Sequence, residues 1–156
     1  MNFIKQFIEL TRAYALTVTI ASCLLVYIYA NISVEVDIIN FIILTAGLCA
    51  VHLGGNLYDD YIDVRKKLDE NIPLNEISFD SFLPKARLIT NGTFSLETVR
   101  TIIKLLFYFA IAIGFSFVYA SGFEVLFFMF IGAVLTLFYP YSSRYNLAEA
   151  TIGLIY

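Results

Sequence analysis

Charge is what this chain has least of. Only 15% of its 156 residues are Asp, Glu, Lys or Arg, where a soluble domain carries roughly 25%. Apolar residues fill the gap at 60%, against about 45–50% in soluble domains, so lipid rather than water is the expected main solvent. The ten basic residues are outnumbered by thirteen acidic ones, for a net charge of −3. No broad basic surface is available, which excludes a nucleic-acid partner. Cysteine is scarce as well. Cys23 and Cys49 both fall inside apolar runs, with neither CxxC spacing nor a disulfide framework, and they read as small packing residues.

What is present is a set of long apolar runs. A hydrocarbon core about 30 Å thick needs roughly 20 apolar residues per helix. Four stretches qualify, 13–30, 38–58, 102–120 and 123–139, and a short amphipathic stretch, 3–10, precedes the first. Lys5 and Arg12 stand before an apolar segment that is long and lacks a clear small-x-small cleavage site, so it reads as a span and not a signal peptide. A fifth apolar run starts near Leu147 and stops at Tyr156, and about ten residues cannot span a bilayer. The expectation is one membrane domain over 1–156 that is a fragment or truncated product. All ten Lys and Arg lie before the first span, from the end of the second to the start of the third, or at Arg144. The connections 31–37 and 121–122 contain none. The positive-inside rule then places the N-terminus, the 59–97 region and Arg144 in the cytoplasm of a multi-pass protein of the cell membrane. A cytoplasmic loop is expected over 64–98, with breaks at Pro73 and Pro84; a loop of that length is often functional.

The second span ends unusually, as His52-Leu53-Gly54-Gly55-Asn56-Leu57-Tyr58-Asp59-Asp60-Tyr61-Ile62-Asp63-Val64-Arg65-Lys66-Lys67-Leu68-Asp69. On a continuous helix Asn56, Asp60 and Asp63 stand at i, i+4 and i+7 and share one face. Asp59 lies beside that stripe and Asp69 follows it. Like charges so spaced repel, and a hard cation with oxygen ligands removes the cost. Magnesium suits the set, because it takes one or two carboxylates together with substrate phosphates. Acids at a membrane edge are functional candidates by default. The competing reading is a solvated acidic helix end balanced by Arg65, Lys66 and Lys67. Gly54 and Gly55 serve either close helix packing or room for a substrate. His52, one turn before Asn56, is a packing histidine or a further ligand.

At this point the chain resembles a family. The segment from Asn56 to Asp69 is similar to the first aspartate-rich motif of the UbiA prenyltransferase superfamily. It is most like the 1,4-dihydroxy-2-naphthoate prenyltransferases of menaquinone synthesis, whose motif reads approximately N-L-x-N-D-Y-x-D-x-R-K-G-x-D. Arg87-Leu88-Ile89-Thr90-Asn91-Gly92 resembles the R-x-I-x-x-G segment of that family. Phe138-Tyr139-Pro140-Tyr141-Ser142-Ser143-Arg144 resembles its aromatic-then-basic loop, and Glu149 falls where that branch often has Gly-Glu. The likeness runs from Arg12 to Tyr156. Asp59 replaces the usual Asn, Lys67 stands where Gly is common, and the second aspartate motif of the family is missing.

The resemblance implies an all-α integral membrane protein, the N-terminal half of a UbiA-type helical bundle with about four transmembrane helices and the start of a fifth. It implies transfer of a polyprenyl group from a prenyl diphosphate to an aromatic acceptor such as 1,4-dihydroxy-2-naphthoate. Mg²⁺ would be held by Asn56, Asp60 and Asp63, with Asp69 close by, and Asp60 and Asp63 would carry the catalysis. Arg87, Arg144 and Lys67 would bind diphosphate oxygens, although Arg87 and Arg144 also satisfy the positive-inside bias. Tyr139 and Tyr141 either face a developing carbocation or belong to an interfacial aromatic belt. Half of the catalytic apparatus would lie on a missing C-terminal part. Two other classes compete: a catalytically silent membrane protein or partner subunit, and a small transporter. Transporters carry acids or helix breaks near midspan, and spans one, three and four have no acid there.

Overall fold

A computed structural model describes residues 3–69 and 86–142 of the chain. Arg144, Glu149, the expected fifth run and the proline breaks at Pro73 and Pro84 lie outside the described residues. Every regular element among the described residues is helical. Helix α1 is Phe3–Thr11, and a short 3₁₀ turn, Ala13–Ala15, leads into α2, Leu16–Ser33. Helix α3 is Ile38–Asp69, α4 is the single turn Arg87–Thr90, α5 is Leu96–Ser121 and α6 is Glu124–Ser142. Four helical segments are long and apolar enough to cross a membrane: Ala13–Ser33, Ile38–Lys67, Leu96–Ser121 and Glu124–Ser142. They overlie the four expected spans.

Helix α3 is the axis of the bundle and packs against α1, α2, α5 and α6. Its 32 residues extend about 48 Å, well beyond a hydrocarbon core of about 30 Å. The apolar part therefore ends near Tyr58 while the helix continues. The expected loop is narrower than 64–98 at both described ends. Residues 64–69 belong to α3, because nothing from Asp59 to Asp69 is a helix breaker. At the other end α5 begins at Leu96, where the Ser95 hydroxyl accepts a hydrogen bond from the Thr98 N–H at 3.1 Å and caps the helix.

Burial is concentrated at one end. Leu10, Leu57, Val64, Leu88, Ile89, Val99 and Ile103 form a closed apolar core where α1, α3, α4 and α5 meet. Away from that end, large apolar side chains such as Leu25, Tyr29, Tyr119 and Phe128 point outward. A soluble protein seldom exposes apolar patches on that scale, whereas lipid tails solvate them at no loss. The molecule thus resembles a water-soluble domain at the Asp59–Asp63 end and a lipid-facing bundle elsewhere.

The two glycines before the acidic turn lie at close helix crossings. A methyl group placed on Gly54 would lie 3.0 Å from Cε1 of Phe107 in α5, and one on Gly55 would lie 3.2 Å from Cγ2 of Thr136 in α6. Small residues let α3 approach both neighbours, as they do at membrane helix interfaces. Gly55 also lines the cleft described next, so both readings of the pair apply there.

Candidate functional site

The acidic turn of α3 is closed by α1. Helix α1 ends at Thr11, and Arg12 takes a left-handed backbone conformation, φ 53° and ψ 41°, before the chain turns into α2. That conformation is uncommon for a residue other than Gly or Asn, and it is kept where surrounding contacts fix it. Here the fixing contacts are ionic. The Arg12 guanidinium donates a hydrogen bond from Nη2 to Oδ1 of Asp60 and lies 3.8 Å from Oδ2 of Asp59. Asp60 is only 1% exposed, and the Arg12 side chain is 11% exposed. Beside this pair, the Asn56 amide donates to the Thr11 carbonyl at 3.4 Å. The Thr11 hydroxyl turns back to the Phe7 carbonyl at 2.8 Å.

One turn further into the apolar region, Thr19 of α2 and Nδ1 of His52 in α3 are hydrogen-bonded at 2.6 Å. This contact ties α2 to α3 and fits the packing reading of His52. The same two helices, with contributions from α5 and α6, border a cleft of about 600 Å³. Its lining is overwhelmingly apolar. Thr19, His52, Asn56, Thr136 and Tyr139 reach it toward the acidic end, while Ser22, Asn40 and Thr45 add polar groups further along it. Asn56, at the end of the cleft, lies one helical turn before Asp60.

The residues expected from the sequence separate into groups. Asn56 and Asp60 come together with Arg12. Asp63 is half-buried one turn beyond Asp60, and Lys67 half-buried one turn further along α3. Tyr139 joins Asn56 on the cleft wall. Tyr141 is not part of that wall and hydrogen-bonds instead with Tyr58, linking α6 to α3. Arg87 opens α4 with its side chain exposed, while its neighbours Leu88 and Ile89 are buried against α3. Asp69 is the last residue of α3, and its side chain, like Arg144, lies outside the described residues.

Two features were not legible in the sequence pattern. Arg12 counted there only toward the charge bias, yet it is the cation nearest the first span, on the side where the acidic turn was expected. That shared depth was the available signal. The cleft itself has none, since it forms only when four helices assemble. Among the described residues no group of three or more His, Cys, Asp or Glu side chains is placed to hold a metal ion. No protein-family model matches the chain, and no curated protein or solved structure matches it.

Proposed function

We propose that this chain binds a prenyl diphosphate in the cleft and takes part in transferring the polyprenyl group to an aromatic acceptor such as 1,4-dihydroxy-2-naphthoate. On this reading it is a UbiA-type prenyltransferase bundle of quinone synthesis, set in the cell membrane with the acidic turn toward the cytoplasm. One juxtaposition carries the proposal: a long apolar cleft ends at Asn56, one turn from the Asp59–Asp60–Asp63 cluster. A ligand with a long apolar tail and a polyanionic head matches both halves of that arrangement. The resemblance of the Asn56–Asp69 segment to the aspartate-rich motif supports it independently.

The donor chemistry fits magnesium. A magnesium ion shared with phosphates takes only one or two protein carboxylates and keeps waters, so it does not require three converging acids. Asn56, Asp60 and Asp63 would hold it, with Asp69 next along the helix. When bound, it would neutralise the diphosphate and improve it as a leaving group. The protein's own groups do the rest. Arg12, already paired with Asp60, offsets part of the negative charge of the acidic turn and offers a fork suited to phosphate oxygens. Lys67, Arg87 and Arg144 are further cations for the same oxygens. The apolar cleft walls keep water from the allylic cation left when the carbon–oxygen bond breaks, and Tyr139 presents an aromatic face on that wall.

The test is ligand-dependent stabilisation in nanodiscs. Mg²⁺ together with a non-hydrolysable farnesyl thiodiphosphate should raise the melting temperature, by the equivalent of about 2.7 kcal/mol at a hundredfold excess over Kd. Asp60→Asn and Asp63→Asn should each abolish that rise. An unchanged rise in both variants would leave the acidic turn with only its structural ion pair to Arg12 and refute the assignment.

A further inference from the structure

The far end of the cleft carries a feature that the head-group chemistry does not use. There the lining consists of Val26, Tyr27 and Ala30 from α2, with Val36, Asn40 and Phe41 from the start of α3 and the turn before it. The rings of Tyr27 and Phe41 face each other across the two helices, with centroids 4.4 Å apart and planes tilted by 32°. Phe41 precedes Asn56 by 15 residues on α3, which places the ring pair about 22 Å along the axis from the polar end. Beyond it the chain reverses between Ser33 and Ile38. That reversal is fastened by polar contacts: the Val36 N–H donates to the Asn31 side chain at 3.2 Å, and the Ile39 N–H donates to the Asp37 carboxylate at 3.0 Å. Ala30 and Val36 line the cleft beyond the ring pair, and the reversal between Ser33 and Ile38 ends both walls within two helical turns of it.

Building on the prenyl-diphosphate reading above, we infer that the Tyr27–Phe41 ring pair narrows the far end of the cleft and sets the longest isoprenoid tail that binds in full. A tail lying along α2 and α3 with its diphosphate at Asn56 runs toward the ring pair, and just beyond it the two walls end at the fastened turn. Isoprene units beyond that point leave the cleft and give up their contact with the walls.

The test measures competition binding of farnesyl, geranylgeranyl, geranylfarnesyl and hexaprenyl thiodiphosphates with Mg²⁺ in nanodiscs. The wild type should bind more tightly with each unit up to one length and then gain nothing. Phe41→Ala and Tyr27→Ala should move that plateau to the next longer ligand, a severalfold rise in the affinity ratio of the longer to the shorter. Tyr27→Phe, which keeps the ring, should leave the profile unchanged. Ala30→Phe fills the same end without removing a contact and should move the plateau to a shorter ligand, so the inference does not depend on the truncated variants folding. Full binding with an identical length profile in all these variants would show that the tail leaves the cleft before the ring pair, and would overturn the inference alone. Absence of binding for every length in the wild type would overturn the prenyl-diphosphate reading, and this inference with it.

Discussion

Replacing Arg12 by alanine removes the cation that faces a carboxylate with almost no access to water. Asp60 is 1% exposed, and breaking a buried ion pair from one side costs about 3–5 kcal/mol, because the remaining charge loses that partner where water cannot replace it. The backbone separates this electrostatic cost from simple misfitting. Arg12 sits at φ 53°, a conformation that costs a residue with a Cβ roughly 1–2 kcal/mol. Arg12→Gly loses the same ion pair but relieves the strain, so it should be more stable than Arg12→Ala by about 1 kcal/mol. Asp60→Asn should cost less than Arg12→Ala, since it leaves no buried anion and Arg12 keeps Asp59 at 3.8 Å. In the double variant Arg12→Ala/Asp60→Asn the two losses should not add, with a coupling of about 0.5–3 kcal/mol. Reversible unfolding in mixed detergent micelles reads all four values. A cost below about 1 kcal/mol for Arg12→Ala, together with additivity in the double variant, would contradict a pair locked across α1 and α3.

Two further outcomes follow from the packing and the charge distribution. Gly54→Val should destabilise by about 1–3 kcal/mol through overpacking, because even the first added carbon meets Phe107 at 3.0 Å; a neutral result in the same unfolding assay would mean that α3 and α5 cross further apart. With Cys23 and Cys49 replaced, single cysteines at Ser33 and Ser121 should react with an impermeant maleimide added outside intact cells, and one at Asn91 should not. Outside labelling at Asn91 would reverse the expected orientation.

Four long apolar helices were legible because apolar length is a direct demand of the bilayer, and each candidate span lies where an apolar run does. Their ends were less legible. Hydropathy drops at Asn56, so the second span was expected to stop at 58, yet a helix leaving lipid continues in water if nothing breaks it, and α3 runs to Asp69. The third span was expected to begin at 102, while its helix begins at Leu96, because Glu97, Arg100 and Lys104 mask the start of an amphipathic turn that buries Val99 and Ile103. The stripe of Asn56, Asp60 and Asp63 could be read from helical spacing alone, since all three lie on one helix. The contact of Arg12 with Asp60 spans 48 positions and depends on α1 docking against α3, which no local pattern encodes. The cleft requires the same assembly.

In the proposed complex an isoprenoid tail lies between α2 and α3 with its diphosphate at the acidic turn. A geranylgeranyl diphosphate carrying a diazirine at the end of its tail, photolysed in nanodiscs and mapped by peptide mass spectrometry, reads that placement. Mg²⁺-dependent adducts are expected on the far cleft wall, around Tyr27, Ala30 and Phe41, and unlabelled prenyl diphosphate should compete them away. Adducts spread over outward faces of α5 and α6, at residues such as Tyr119 and Phe128, and indifferent to Mg²⁺ and competitor, would contradict it.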